Sequence, residues 1–371
     1  MGNKQIKKKK IKKDNNNNKK EENKKEIYKY NITFLGDDGV GTITSLIKKI
    51  MGDKFIPGRL VQRLILEKDN IEIRLNMFDV SDEKWMLSGI LVKCSDFIIL
   101  GYNMTNELSF EKIKDFYCGN KKNIKTNLIY LLGNKNDSKN EIKVPESNAK
   151  SFANSENIKY FSISIKDDID IKSFIDDLKS TIDKKLKDDI NKVMNAKLTG
   201  NPIQKKYKAV LLGEAGIGSK TNLLNVITDK GFNPNSISTS GASYESKSFM
   251  SKRNEEIIFE FWDTVGQEKH RKLTKMFIID SDVIILGFDI TSYHTFEEVK
   301  DFWYPFINEN SKADLIYLLG NKIDLIKEGY EYKFEEEVKN FSKENNLRYF
   351  AISCQTKKGI YEFIDDLVNE V

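Results

Sequence analysis

The chain has 371 residues, 39% of them hydrophobic, which is enough for two or three domains with sizeable cores. Its formal net charge is +5, and no apolar run approaches the ~18 residues that span a bilayer, so we expect the folded part to be soluble. Cys94, Cys118 and Cys354 show no paired spacing. This spacing favours a reducing, intracellular setting and argues against a disulfide framework or a cysteine-based metal site.

The first 26 residues hold eleven lysines against four acidic residues and almost nothing apolar, so we expect residues 1–26 to form a disordered polybasic tail. One interpretation is a solvated arm. The other is attachment to an anionic membrane surface, helped by myristoylation of Gly2, although Ile6 stands where the acylation motif has Ser or Thr. No aromatic residue precedes Tyr28 to stack on bases, so no nucleic-acid partner is expected.

Residues 209–224 read A-V-L-L-G-E-A-G-I-G-S-K-T-N-L-L. The pattern predicts a buried strand, a glycine-rich turn and a helix. Such a turn lets backbone N–H groups converge on phosphate oxygens, while the lysine reaches the outer phosphates and the threonine can hold Mg²⁺. The usual pattern is G-x-x-x-x-G-K-[ST], but Ser219 separates Gly218 from Lys220. Either the loop carries an insertion or Ser219 occupies the last glycine position.

Three further motifs follow, each at the end of an apolar strand pattern: D-T-V-G-Q-E at residues 263–268, N-K-I-D at 321–324 and S-C-Q at 353–355. In this order, they resemble the Ras-like small GTPases, and W-D-T-x-G-Q-E resembles the Rab branch. The resemblance covers about residues 206–371. Four motifs in order are far more specific than one glycine-rich loop.

The resemblance implies a site for GTP or GDP with Mg²⁺, and it assigns roles residue by residue. The nucleotide contacts would be Gly213, Gly216, Gly218, Ser219, Lys220, Thr221, Asn222, Phe232, Thr239, Gly266, Asn321, Lys322, Asp324, Ser353 and Cys354. The Mg²⁺ ligands would be Thr221, Thr239 and Asp263. Gln267 would be the catalytic residue that positions the attacking water. Asp324 would select guanine, and Cys354 and Gln355 depart from the S-A-K loop of the family.

The chain also matches itself. Residues 34–46 match residues 211–223 at an offset of 177. Three later segments, 95–101, 130–135 and 174–178, match residues 281–287, 317–322 and 363–367, at offsets of 186, 187 and 189. We therefore predict an α/β protein of two tandem P-loop folds of the Ras-like type, each a mostly parallel sheet flanked by helices. The predicted boundaries are residues 27–185 for a degenerate first domain, 186–204 for a helical linker and turn, and 205–371 for the GTP-binding domain.

The first copy lacks several of the residues to which the resemblance assigns phosphate binding and hydrolysis. Ile43 stands where the second copy has Lys220, which forfeits a charge-assisted contact worth about 1.5–3 kcal/mol. D-V-S-D-E at 79–83 replaces D-x-x-G-Q, and no counterpart of Thr239 exists. Asn134 and Phe55 remain at the base-binding positions. These losses indicate a pseudo-GTPase, with either a weak guanine site or only the fold retained.

The predicted function is a slow GTPase switch in the second domain, acting in vesicle traffic or signalling. The alternatives are a non-hydrolysing scaffold and a membrane-associated adaptor. By resemblance, the partners would be effector, exchange-factor and GTPase-activating proteins. The expected location is the cytoplasm, and the basic tail suggests peripheral attachment to the cytoplasmic face of a membrane as an alternative.

Overall fold

The computed structural model describes residues 25–371 apart from 37–41, 58, 60, 69, 81–84, 86, 135–141, 166–168, 214–218, 235–241, 265–270 and 328–330. The predicted tail therefore lies outside the described residues, except for Lys25 and Glu26. The described chain forms two sheets of six strands with helices around each sheet. This arrangement confirms the predicted α/β class and the two tandem folds, each a mostly parallel sheet flanked by helices.

The first domain is built on a sheet with the order β2-β3-β1-β4-β5-β6, in which β2 pairs antiparallel with β3 and the other pairs are parallel. Its strands are β1 (Glu26–Gly36), β2 (Val61–Lys68), β3 (Ile71–Val80), β4 (Phe97–Asn103), β5 (Ile129–Asn134) and β6 (Lys159–Ile163). Its helices are α1 (Thr42–Met51), α2 (Ser88–Cys94), α3 (Glu107–Asn120), α4 (Glu146–Ser155) and α5 (Ile169–Thr199). A 3₁₀ turn at Gly52–Lys54 follows α1.

The second domain repeats this topology, with the order β8-β9-β7-β10-β11-β12 and β8 antiparallel to β9. Its strands are β7 (Ile203–Leu212), β8 (Ser243–Met250), β9 (Glu255–Asp263), β10 (Val283–Asp289), β11 (Leu315–Asn321) and β12 (Arg348–Ile352). Its helices are α6 (Ser219–Ile227), α7 (Arg271–Ile278), α8 (Tyr293–Glu298), α9 (Tyr304–Asn310), α10 (Glu335–Glu344) and α11 (Ile360–Glu370). A π-helical turn at Val299–Trp303 joins α8 to α9, and Ile323–Leu325 is a 3₁₀ turn.

The central strands explain the layered arrangement. All seven residues of β4, F-I-I-L-G-Y-N, are buried, and so are all seven of β10, V-I-I-L-G-F-D. A continuous apolar strand must be covered on both faces, which requires helices above and below a parallel sheet. One face of each sheet packs on a core of its own, whereas the other faces share an apolar cluster that extends through both domains.

Helix α5 runs without a break through residue 185, where the first domain was predicted to end. A turn at Gly200, with φ of +71°, separates this helix from β7. The positions of the domain boundaries remain predictions. Among the described helices, none combines the length and the apolar character that crossing a bilayer would require.

Candidate nucleotide-binding site

The phosphate-binding end of the second domain begins where β7 ends. Gly213 has φ of +139°, and a Cβ atom there would lie 2.4 Å from the Gly287 carbonyl oxygen. Only glycine fits such a close approach of two backbones. Gly216 and Gly218 lie outside the described residues, and α6 begins at Ser219, so the additional serine is the first helical residue. The counterpart helix α1 begins at the equivalent position, Thr42.

Lys220 and Thr221 project from the first turn of α6 toward the ends of the strands. The Lys220 ammonium donates a hydrogen bond of 2.5 Å to the Gly213 carbonyl oxygen, so it lies over the turn. The Thr221 hydroxyl donates to the buried Asp263 carboxylate at 2.7 Å. This pair joins the start of α6 to the end of β9. Nearby, the Thr264 hydroxyl donates to the Leu211 carbonyl oxygen at 2.8 Å and ties β9 to β7.

The oxygen atoms of Thr221 and Asp263 fit a hard divalent cation. A hydroxyl and a carboxylate are ligand types that Mg²⁺ prefers, and Mg²⁺ is usually held by one or two such protein groups together with substrate phosphates. The third predicted ligand, Thr239, lies outside the described residues, as do Gly266 and the predicted catalytic Gln267.

The predicted base-binding loop lies at the ends of β11 and β12. The Asn321 side chain accepts a hydrogen bond of 3.0 Å from the Cys354 N–H, and so it braces the two loops against each other. Lys322 has φ of +74°, and its ammonium pairs with Asp289 at 2.6 Å. Asp324 follows in the 3₁₀ turn Ile323–Leu325.

Ser353 and Cys354 belong to a compact turn. The Ser353 hydroxyl accepts a hydrogen bond from the Thr356 N–H at 3.0 Å, and the Ser353 N–H donates to the Lys358 carbonyl oxygen at 2.9 Å. Burial raises the pKa of the Cys354 thiol to about 12, so this cysteine is neutral at physiological pH. Its side chain therefore fills space, and its backbone shapes the loop.

Asn222 and Phe232 border the site from the other side. The Asn222 side chain donates to the Asn233 carbonyl oxygen at 3.1 Å and accepts from the Asn233 N–H at 2.9 Å. This double contact holds the segment that carries Phe232, a residue that is 37% exposed. Lys220 and Asn321 line one small cavity between β7, β10 and β11, so the phosphate end and the base loop meet around these strands.

Sequence reasoning missed two features. Asp289 binds Lys322 and also accepts hydrogen bonds from the Thr291 N–H and hydroxyl, at 2.9 and 2.6 Å. Its position at the end of a buried strand was the available signal. The first domain also keeps the pair equivalent to Thr221 and Asp263, because the Thr44 hydroxyl donates to Asp79 at 2.6 Å.

The first domain differs at the phosphate end. The Ile43 side chain packs closely on Gly36 and Gly101. A Cβ atom would lie 2.3 Å from the Ile43 side chain if it were added at Gly36, and 2.7 Å from it if it were added at Gly101. It is buried, so an apolar side chain fills the place of a lysine. Phe55 is half-buried against the core, unlike Phe232, and Asn134 is buried at the end of β5, while Lys135 and Asp137 lie outside the described residues.

The model of the Ras family matches this chain twice, over residues 31–184 and 208–371. Ras-related protein Rab-2B of Dictyostelium discoideum is 31% identical over 166 residues, which cover 44% of this chain and 80% of that protein. GTP-binding protein ypt3 of Schizosaccharomyces pombe is 30% identical over 166 residues, 44% of this chain and 75% of that protein. Ras-related protein Rab-13 of Mesocricetus auratus is 30% identical over 166 residues, 44% of this chain and 79% of that protein. The chain therefore belongs to the Ras family, resembles its Rab members and carries the Ras-type fold twice.

Proposed function

We propose that the chain is a guanine-nucleotide switch whose second domain binds GTP and GDP with Mg²⁺ and slowly hydrolyses GTP. The observation that carries this proposal is the Thr221–Asp263 pair, in which a helix-start hydroxyl and a buried carboxylate meet at 2.7 Å beside Lys220. That constellation suits a phosphate with its bound cation.

Thr221 and Asp263 are the described residues that would hold Mg²⁺, and Thr239 is proposed to join them on the strength of the sequence. The chemistry that Mg²⁺ supplies in such a site is neutralisation of charge on the outer phosphates. Lys220 is already placed over the turn, and its ammonium would exchange the Gly213 carbonyl oxygen for a phosphate oxygen. This exchange replaces a neutral partner with a charged one and is therefore favourable.

Selection of guanine is assigned to Asp324. A carboxylate accepts from both the ring N–H and the exocyclic amine of guanine, a match that adenine does not offer. Asn321 supports this geometry because it already braces the Cys354 N–H. Phe232 would stack on one face of the base and the aliphatic part of Lys322 would cover the other, while the backbone at Ser353 and Cys354 would donate to the guanine oxygen.

Hydrolysis is assigned to Gln267, which would orient the attacking water, while the Gly266 N–H would bind the γ-phosphate. No arginine of the switch segments is an evident charge-stabilising finger in the sequence. Turnover without a partner should therefore be on the order of 10⁻⁴ to 10⁻² per second, as for related enzymes. An activating protein would then control the lifetime of the GTP state.

The first domain is proposed to be a pseudo-GTPase. Ile43 supports this assignment because its buried side chain occupies the phosphate end without offering a charge. By family likeness, the expected setting is vesicle traffic or signalling in the cytoplasm, with effectors, exchange factors and activating proteins as partners. Peripheral attachment to an anionic membrane through residues 1–26 is a separate part of the proposal and depends on the sequence alone.

The test is titration of the full chain with GTP, GDP and ATP in the presence of Mg²⁺, followed by single-turnover hydrolysis. We expect binding of both guanine nucleotides, strong loss of that binding in Lys220→Ala, and hydrolysis that disappears in Gln267→Ala while binding remains. Absence of guanine-nucleotide binding at 100 μM would instead favour the non-hydrolysing scaffold. Loss of liposome binding in a chain without residues 2–26 would support the membrane adaptor.

A further inference from the structure

The two domains contact each other through residues that are equivalent in the two copies. Lys29 of β1 forms an ion pair with Asp282, which directly precedes β10. The equivalent residues are Lys206 and Asp96, at offsets of 177 and 186. Burial raises the pKa of the Asp96 carboxyl, and the Lys206 ammonium acts on it in the opposite direction, so this second pair also faces across the boundary between the domains. The arrangement is that of the isologous interface of a symmetric dimer, formed here within one chain.

The two carboxylates of this interface are held in place before they meet their lysines. Asp96 accepts a hydrogen bond of 2.9 Å from the Asn31 N–H, and Asp282 accepts one of 2.8 Å from the Lys208 N–H. These two hydrogen bonds are equivalent as well, because Asn31 and Lys208 are 177 residues apart. A preorganised charge needs little ordering on contact, which favours a specific interface over a loose one.

Apolar contacts join helix α2 of the first domain to β8, the edge strand of the second sheet. Leu91 of α2 and Tyr244 of β8 belong to one buried cluster, and Cys94, the last residue of α2, is buried. The Lys125 ammonium donates a hydrogen bond of 3.3 Å to the Ser246 hydroxyl and lies 5.5 Å from the centroid of the Tyr244 ring. The first domain therefore packs against an edge strand, the type of element on which other proteins readily add a strand.

One ion pair breaks the symmetry of the interface. The Arg63 guanidinium of β2 pairs with Asp280, whose side chain is 5% exposed. In the register of the two sheets Arg63 corresponds to Ser246, and at the offset of 186 Asp280 corresponds to Cys94. Burial raises the pKa of the Cys94 thiol well above its ordinary value, so this thiol is neutral. One side of the interface therefore carries a cation and an anion where the other side carries a hydroxyl and a neutral thiol.

This asymmetry decides which domain pairs with which. If the first domain paired in the same way with another copy of itself, Arg63 would face Cys94 and Lys125. If the second domain did so, the buried Asp280 would face Ser246. Each self-pairing leaves a desolvated charge without its partner, which is strongly unfavourable, whereas the mixed pairing joins the two charges.

We propose that the first domain serves as a dedicated protein partner of the second. The two domains form a heterodimer within one chain that is held by its own interface, and the Arg63–Asp280 pair selects this mixed pairing over self-pairing of either domain. The role needs no nucleotide in either domain, so it is independent of the proposed function. It also gives a domain with Ile43 at its phosphate end a function, which is to occupy the β8 side of its partner.

The first experiment asks whether the interface holds without the covalent connection. A site for a sequence-specific protease is inserted into the full chain between Gly200 and Asn201, which are exposed and lie between α5 and β7. The folded protein is cleaved and analysed at about 1 μM by size-exclusion chromatography and native mass spectrometry. We expect the two fragments to stay together as a 1:1 complex with a mass close to the 42.9 kDa of the chain.

Two results of the cleavage would overturn the proposal. Separation of the fragments at this concentration would show that the connection, and not the interface, keeps the domains together. Complexes that contain two copies of the same fragment would show that the interface does not select the mixed pairing.

The second experiment measures opening of the interface in the uncleaved chain through its three cysteines. Cys118 is exposed, Cys94 is buried between the domains, and Cys354 is buried in the core of the second domain. Each is followed by N-ethylmaleimide labelling at pH 7 with peptide mass spectrometry. In the wild type we expect rapid labelling of Cys118 alone, and continued protection of Cys354 reports intact folding in every variant.

The variants form a double-mutant cycle on the selecting pair. Arg63→Met and Asp280→Asn each leave one charge without its partner, so each should accelerate Cys94 labelling at least about tenfold. Asparagine suits the φ of +59° at Asp280. The combined variant removes both charges, and we expect its acceleration to be smaller than the product of the two single effects.

The matched control makes the same two changes in an ion pair within the first domain, Lys159→Met with Asp177→Asn. We expect Cys94 labelling in this control to equal that of the wild type. Unchanged labelling in both Arg63→Met and Asp280→Asn, or single effects that simply multiply in the combined variant, would overturn the assignment of selection to this pair.

Discussion

The Thr44 hydroxyl donates a 2.6 Å hydrogen bond to the Asp79 carboxylate, and this contact reproduces in the first domain the Thr221–Asp263 pair of the second. The oxygen atoms suited to a cation thus survive in a domain whose lysine has become Ile43. The two domains therefore differ chiefly in charge at the phosphate end and in the segments that follow.

The first prediction concerns that charge. Ile43→Lys, made in a Lys220→Ala background so that only the first domain is observed, should raise its affinity for GDP with Mg²⁺ about tenfold to a hundredfold, because a charge-assisted contact is worth about 1.5–3 kcal/mol. Fluorescence titration with a labelled nucleotide measures the change. Ile43→Met is the control of similar volume and should change nothing. Equal affinities in the two variants would mean that the first domain has lost more than this lysine.

The fold was predictable because each signal was local. The buried apolar strands, the glycine turn at Gly213 and the self-match of the chain do not depend on distant partners. The Thr44–Asp79 pair could have been found as well, since both residues align with the pair of the second copy.

The contacts between the two domains were not predictable in this way. Lys29 and Asp282 are 253 residues apart, and their pairing depends on how two folded surfaces fit together. The same holds for Lys322 with Asp289, which meet only because β10 and β11 are neighbours in the sheet. Side-chain partners across strands are set by tertiary packing, which a single sequence does not encode in any local pattern.

The second prediction concerns the phosphate turn. Gly213→Ala should destabilise the second domain by at least about 3 kcal/mol, because the methyl group would meet the Gly287 carbonyl oxygen in a strained backbone conformation. Gly200→Ala is the matched control: its φ is also positive, but nothing lies within 4 Å, so we expect a loss of about 1–2 kcal/mol. Urea unfolding followed by tryptophan fluorescence measures both. Equal losses would contradict the close approach.

The third prediction concerns base selection. Asp324→Asn should weaken GTP binding at least about a hundredfold, because the amide offers only one acceptor to the two guanine N–H groups. Xanthine carries a carbonyl oxygen where guanine has its amine, so the new amide can donate to it, and the variant should prefer xanthosine triphosphate. Competition titrations with both nucleotides provide the measurement. Asp314→Asn, a change of the same kind before β11, should leave the preference for GTP intact.

The last prediction concerns the buried ammonium of Lys208 on β7. Burial lowers the pKa of Lys208 to about 8, against the opposing charges of Asp280, Cys94, Asp282 and Glu260. An unfolded lysine titrates near 10.4, so between about pH 8 and 10.4 the unfolded chain binds more protons and the native state gains stability as the pH rises. Below pH 8 the Lys208 ammonium is charged in both the native and the unfolded state, so the native state bears the full cost of burying that charge. Burial raises the pKa of Cys94 well above its ordinary value, so within this window that thiol titrates only in the unfolded chain, and the comparison with Lys208→Met cancels its contribution. We therefore expect the free energy of unfolding of the wild type to rise relative to that of Lys208→Met by on the order of 2–3 kcal/mol from pH 7 to pH 10. Urea unfolding of both proteins at the two pH values measures this difference, and a difference that does not change with pH would show that Lys208 keeps an ordinary pKa.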